Sequence, residues 1–450
     1  MLPGRDGITV VRVRDLHGRS YRVGERPHDI MARSRDWMLW LPWAAMAGIS
    51  VLQYGYGVAL IALRHSDRQD AAAFGVLALW VVFQAVGAAA TAPLRRQLGL
   101  GPVTAMLIGA LLCGAGPCTL SATSSLAVAV LGYGVLCGAG AGIVYATCLS
   151  TVASWYPEQR GAKLGLVSGA FGYGAVPFIA LFALVLTPRN HAVVFMAVGL
   201  CVLVIVAICG VFFREPPPGW WPAEIDPKVW VVDKRLNRSL LGNAPAIRQY
   251  RPGETARTPA FVLMYLILVA ASGAALLPIA YIPSIGLAHG STPAVGATAV
   301  GLLALVNGTG RGVASWLSDR LGRRQTLSLA LIAMGCALPG LAYSASASAS
   351  SVAPFLAFAA LSGLAGGAFY SLFVSLVADY FGEHSALGNF GLLYSAKLFG
   401  GVVGVGLPAV LLAPERLGVA FVAAGLVCLC AALMPRLLRR PGYPVCRLPH

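Results

Sequence analysis

Leu317-Ser-Asp-Arg-Leu-Gly-Arg-Arg324 is a short charged run between two long apolar stretches. An earlier run, Leu94-Arg-Arg-Gln-Leu-Gly99, keeps the same Leu-x-x-x-Leu-Gly frame 223 residues upstream. A second pair repeats at almost the same offset: Ala153-Ser-Trp-Tyr-Pro-Glu158 matches Ala378-Asp-Tyr-Phe-Gly-Glu383, 225 residues apart. The copies occupy equivalent places, after the second or the fourth apolar stretch of each half. The chain is therefore read as an internal duplication.

The repeated unit is built for a bilayer. The 450 residues are 58% hydrophobic and 11% charged, with a mean hydropathy of +0.75. Soluble domains carry about 25% charged residues. A membrane helix needs about 20 apolar residues. Twelve stretches qualify: 38–63, 72–93, 102–122, 127–151, 162–187, 190–213, 259–285, 293–317, 325–345, 352–378, 386–412 and 416–435. The longest connection, 214–258, contains Pro216-Pro-Pro-Gly-Trp-Trp-Pro222 and separates bundle 38–213 from bundle 259–435. The expected fold is an all-α polytopic membrane protein with twelve transmembrane helices in two six-helix repeats. Residues 1–37 and 436–450 read as irregular tails.

Charge sets the orientation. With both termini cytoplasmic, 27 of the 33 Lys and Arg residues lie in the tails and cytoplasmic loops. Four lie in outer loops: Arg64, Arg68, Arg189 and Arg416. This is the positive-inside asymmetry, and an anionic inner leaflet rewards it. The net charge of +16 is thereby explained without a nucleic-acid partner. No cleavable signal peptide precedes the first apolar stretch, so a multi-pass cell-membrane protein is expected. The cysteines read as small hydrophobes in apolar helices, Cys428-x-Cys430 included. No spacing implies a metal, and no cofactor is expected. Gly165, Gly169, Gly172 and Gly174, with Gly400, Gly401 and Gly404, fit close helix contacts. Ser344–Ser351 reads as a flexible outer loop.

Two charges sit where lipid should be. Arg311 lies inside Val295–Leu317 and Lys397 inside Ala386–Leu412. A cation at mid-bilayer costs roughly 2.5–3.5 kcal/mol on insertion scales, which makes it a functional-site hypothesis. At ~1.5 Å per residue, both lie ~12–14 Å from the inner helix ends. No Asp or Glu is placed deep enough to neutralise them, so the missing anion is expected to be the substrate. Gln53, Tyr54, Tyr145, Tyr370, Tyr394 and Asn307 reach similar depth. A polar group there needs a hydrogen-bond partner, and a shared cavity would supply one. Gln84 reads as structural. The repeat mates of Lys397 and Arg311 fall near Gly172 and Ala88, which leaves the positive charge to the C-terminal half alone.

These residues resemble the oxalate/formate antiporter family of the major facilitator superfamily. The likeness runs through Leu52-Gln-Tyr54, Tyr156-Pro-Glu-Gln-Arg-Gly161, Pro217-Pro-Gly-Trp220, Asn307-Gly-Thr-Gly-Arg311, Asp379-Tyr-Phe-Gly382 and Tyr394-Ser-Ala-Lys397. The superfamily's inner-loop signature is matched by Asp319, Arg320, Gly322, Arg323 and Arg324, which the resemblance assigns to closure of the inner gate. The N-terminal copy lacks the Asp, so gating is expected to rely on the C-terminal one. The resemblance implies that Arg311 and Lys397 bind substrate carboxylates, with Gln53, Tyr54, Tyr145, Tyr370 and Tyr394 lining the cavity. One departure is Gly366-Gly-Ala368 on the approach to Tyr370, where the oxalate carrier's pocket is richer in Trp. A roomier site is expected from it.

The functional expectation is secondary transport of small organic anions, mono- or dicarboxylates, by exchange in a monomer. Proton-coupled monocarboxylate symport through Lys397 stays open. Cation or drug efflux would want an intramembrane carboxylate. A non-transporting sensor would want a larger tail domain. An enzyme would want a nucleophile–base pair, nucleotide loop or metal cluster.

Overall fold

The computed structural model describes residues 2–3, 9–15, 20–63, 67–123, 125–243, 246–346, 352–383 and 385–442. Arg64, the side chain of Arg68, residues 347–351 of the Ser/Ala run and residues 443–450 lie outside that description.

Among the described residues, eleven helices are long and apolar enough to cross a membrane, and a bent pair makes a twelfth span. The bent span α1 joins Trp37–Tyr54 to Tyr56–Ala62 through a 44° turn. In the same half follow α2 (Ala71–Leu98), α3 (Pro102–Ala122), α4 (Leu126–Trp155), α5 (Pro157–Val185) and α6 (His191–Val211). The other half contains α7 (Pro259–Ala288), α8 (Pro293–Leu321), α9 (Arg323–Ser346), α10 (Val352–Phe381), α11 (Ala386–Leu411) and α12 (Leu417–Leu437). This is the all-α, twelve-span arrangement that the duplication implies.

Helix α2 runs past its apolar stretch, through Pro93 to Leu98. Arg95 and Arg96 occupy its last turn, where cations favour the negative helix end. Hydropathy stops there before the helix does.

Three spans are interrupted near mid-length. Helix α1 breaks at Gly55, α5 at Gly174 and α11 at Ser395. A side chain at Gly55 would stand 2.8 Å from both the Phe182 ring and the Val51 carbonyl. Discontinuous helices of this kind build substrate sites near the midplane in transporters. Each break here lies within a turn of a residue that reaches the protein interior.

The face at the start of α1 and the end of α12 is called basal here, and the opposite one distal. The N-terminal tail is not irregular, contrary to the reading from sequence. A four-stranded sheet forms from β1 (Leu2–Pro3), β2 (Thr9–Arg14), β3 (Ser20–Val23) and β4 (Trp220–Trp221), in that order. Strands β2 and β3 pair antiparallel, while β3 and β4 pair parallel. Val10, Val11 and Val13 supply the β-branched character that favours extended pairing. The tail and the 214–258 connection fold on each other: Tyr21 packs edge-on to Trp221 at 4.8 Å, and the Trp220 indole donates to the Glu25 carbonyl at 2.9 Å.

Close backbone approach joins the halves. A Cβ on Gly172 of α5 would overlap the Ala304 carbonyl and the Gly308 backbone of α8. Gly401 of α11 packs on the Val81 side chain of α2. In a bilayer, where apolar burial between helices gains little, such contacts carry the association.

Candidate functional site

Arg311 and Lys397 both reach the interior, each 2% exposed. They converge on one ring: the Arg311 Cζ lies 5.6 Å and the Lys397 Nζ 5.4 Å from the centre of Tyr370. Each also faces a further aromatic, Phe171 for Arg311 at 5.9 Å and Tyr394 for Lys397 at 5.6 Å. Attraction to ring faces is worth about 2 kcal/mol or more when desolvated. Charges 5.6 and 5.4 Å from one ring centre are no more than 11 Å apart, so at an effective dielectric of about 20 they repel by at least roughly 1.5 kcal/mol. The rings offset part of that repulsion but provide no counter-charge.

The polar partners differ. Lys397 Nζ donates to Gln53 Oε1 at 3.0 Å, to Gln84 Oε1 and to the Tyr394 hydroxyl at 3.4 Å. Gln53 and Gln84 belong to α1 and α2, so the ammonium of the C-terminal half is solvated by two amides of the N-terminal half. Arg311 donates to Asn307 Oδ1, from Nε and Nη2, both at 3.4 Å, and it also interacts with the Tyr54 and Tyr145 hydroxyls. Its Nη1 is buried without a partner, as are the Tyr370 hydroxyl and Gln84 Nε2. Buried donors without acceptors are rare and call for an explanation. Here two of them, on Arg311 and Tyr370, meet in one place.

That place is an enclosed cavity lined by Gln53, Tyr54, Tyr145, Phe171, Ala275, Leu276, Ile279, Asn307, Arg311, Tyr370, Tyr394 and Lys397. All eight residues singled out from the sequence for substrate binding are among them. No acidic residue is. In this closed conformation the free volume is about 10 Å³, no more than one water requires. The expectation of a roomier site fails, for a packing reason. A Cβ on Gly367 would overlap the Asn307 carbonyl, and one on Gly366 would lie 3.3 Å from Ala275 Cβ and Asn307 Nδ2. These glycines bring α10 against α8 and α7 instead of widening the cavity.

One lining residue, Phe171, escaped the sequence reading. Gln84, read as structural, does not line the cavity but is bonded to Lys397. Phe171 faces Arg311 and packs on Tyr54 and Tyr145 at 5.8 and 6.2 Å. Its signal was positional, since it neighbours Gly172 where the repeat mate of Lys397 falls.

A family model described as Major Facilitator Superfamily matches residues 36–353 and, again, 263–445. The chain belongs to the major facilitator superfamily. It is 28% identical to the oxalate:formate antiporter of Oxalobacter formigenes over 69% of each chain. It is 25% identical to an uncharacterized MFS-type transporter, YhjX, of Escherichia coli over 72% of this chain and 75% of that one. A shorter match, 34% identical over 21% of this chain, is to apicoplast pyruvate carrier 1 of Toxoplasma gondii, of which it covers 18%.

As in any major facilitator transporter, access to a central site must be closed from both faces in turn. On the distal side, Phe74 of α2 packs on Tyr281 of α7 at 4.3 Å, and Tyr281 donates to the Val405 carbonyl of α11 at 2.5 Å. On the basal side, a vestibule of about 280 Å³ between α2, α4 and α11 ends at Tyr145 and Tyr394. Those two rings also line the site, so they form the partition between it and the vestibule.

The basal motif residues separate into two groups. Arg323 bridges Asp319 at 2.7 Å and Asp379 of α10 at 3.3 Å. It also takes Ser318 and Ser239 as acceptors, and its backbone N–H donates to Asn243 Oδ1 at 3.0 Å. The network thus clasps the 214–258 connection to α8, α9 and α10. Gly322, at φ +92°, permits the turn between α8 and α9. Arg320 and Arg324 stand outside the network. Arg320 lies 4.0 Å above Trp316, and Arg324 donates to the Pro435 carbonyl at 2.8 Å. In the N-terminal copy the absent Asp is supplied from elsewhere: Arg95 makes a two-pronged bridge to Glu215 at 3.0 and 2.9 Å.

Proposed function

We propose that the protein is a secondary active transporter of small organic anions, exchanging one carboxylate for another by alternating access. The observation that carries this reading is the buried, partly unpartnered Arg311 guanidinium beside Lys397 in a cavity lined by no carboxylate. Arg offers a planar fork to a carboxylate and Lys a compact point charge. The Tyr370 hydroxyl and Arg311 Nη1 are the donors left to receive it. The resemblance to the oxalate:formate antiporter points the same way.

The exchange mode follows from electrostatics. Moving the halves without substrate carries two uncompensated cations through a low-dielectric region. An anion between them removes most of that penalty. The loaded carrier then reorients quickly and the empty one slowly. The carrier works as a monomer in the cell membrane with both termini cytoplasmic, so that the basal face is the inner one.

Proteoliposomes test this. Labelled oxalate or formate enters vesicles preloaded with the same anion at least about tenfold faster than empty vesicles. Equal rates would contradict exchange. A second reading, proton-coupled monocarboxylate symport, is favoured by the neutral character of every acceptor on Lys397, which leaves that group free to exchange a proton. Uptake into empty vesicles driven by an imposed pH gradient would select it.

A further inference from the structure

A groove of about 1240 Å³ opens on the basal face between the start of α9 and the end of α12, remote from the central cavity. Its mouth carries Arg324, Arg436, Arg439 and Arg440, and no acidic residue lines it. Arg324 is committed to the Pro435 and Arg436 backbone carbonyls, which fixes α12 to α9 and gives the groove its shape. Arg440 rests on the Tyr380 ring at 5.6 Å. Arg436 and Arg439 are exposed and form no ion pair among the described residues.

Part of the floor is apolar. Leu329 and Ile332 of α9 line it and are 49% and 44% exposed. At ~1.5 Å per residue they lie ~9 and ~13 Å beyond Arg323, at acyl-chain depth. A basic mouth continuous with an apolar floor suits a ligand that is anionic at one end and greasy at the other. Basic pockets between membrane helices hold anionic lipid headgroups.

We propose that this groove is a binding site for the phosphate headgroup of an anionic phospholipid, held by Arg436 and Arg439 with an acyl chain along Leu329 and Ile332. A free phosphate offers the same charge but would make no use of the floor.

Native mass spectrometry of the full-length protein tests the assignment. The protein is stripped of lipid and then given phosphatidylglycerol or phosphatidylcholine. Wild type retains phosphatidylglycerol selectively. Each basic residue near an anionic headgroup contributes about 1 kcal/mol, so R436Q/R439Q binds it at least roughly tenfold more weakly. That variant keeps the backbone carbonyls that Arg324 uses, so the groove itself is retained. K234Q/R235Q removes the same charge from the 214–258 connection and leaves retention unchanged. Equal retention of the two lipids would overturn the proposal, as would equal loss in the K234Q/R235Q control. Displacement of the lipid by millimolar inorganic phosphate would show a soluble-anion site and reject the lipid.

Discussion

Tyr145 and Tyr394 stack across the junction of the two halves, with ring centroids 5.1 Å apart and planes within 22°. Tyr145 comes from α4 and Tyr394 from α11, three residues before Lys397. The same pair bounds the central cavity and the basal vestibule. It is one side chain thick. An aromatic pair contributes about 0.5–1.5 kcal/mol beyond its buried area. Y145A should therefore raise the population open to the basal side by roughly 2- to 13-fold. A cysteine placed at Gln53 in a cysteine-free background reports this through its labelling rate from that side. Y145F, which keeps the ring and loses only the hydroxyl's contacts with Arg311 and Tyr394, should raise the rate less than Y145A.

Lys397 is tied to the opposite half by Gln53 and Gln84. A hydrogen bond to a charged group contributes about 1.5–3 kcal/mol, and removing one buried partner exposes that cost. Q84L should lower the melting temperature of the purified carrier. In the K397Q background the same change should cost much less. A double-mutant cycle measures the difference, and contacting residues commonly couple by about 0.5–3 kcal/mol. Additivity of the two substitutions would remove the bond from the account.

Gly57 lies against the Ala280 carbonyl, where a Cβ would stand 2.7 Å away. This contact belongs to the distal closure between α1 and α7. G57L should block that closure and hold the carrier open to the distal side. Labelling of the site cysteine from the distal face should rise, and transport should fall at least about tenfold. Wild-type transport by G57L would show that α1 and α7 need not meet so closely.

Arg323 holds Asp319 and Asp379 together and clasps Asn243 and Ser239. Breaking a buried pair by removing one partner costs roughly 3–5 kcal/mol, reduced here because Asp319 is a third exposed. R323Q and D379N should each destabilise the protein, and their combination should cost less than the two losses added. Thermal unfolding of the four proteins gives the comparison. Full additivity would separate the two residues.

Much of this is legible in the sequence, and for identifiable reasons. Lipid makes hydropathy a direct reporter of spans, and the duplication fixes their grouping. A cation at mid-bilayer is expensive enough that Arg311 and Lys397 stand out from one sequence alone. Other features depend on what touches what. Gly366 and Gly367 suggested space but are used for helix contact, because a missing side chain says nothing about what fills its place. Gln84 looked structural because nothing in its local sequence points at α11. The sheet formed by the tail and Trp220–Trp221 was invisible because its strands are far apart in the chain. The Glu215 partner of Arg95 lies outside the repeated motif altogether.

On the proposed mechanism Arg311 and Lys397 together bind the transported carboxylate. The most direct measurement is equilibrium binding of labelled oxalate and formate to wild type, K397Q and R311Q, with counterflow in proteoliposomes as the functional readout. Truncating one partner of a buried charge pair costs about 2–5 kcal/mol. Each variant should bind at least about 30-fold more weakly and lose counterflow, while remaining folded and monodisperse. Unchanged binding and counterflow in K397Q would contradict the account.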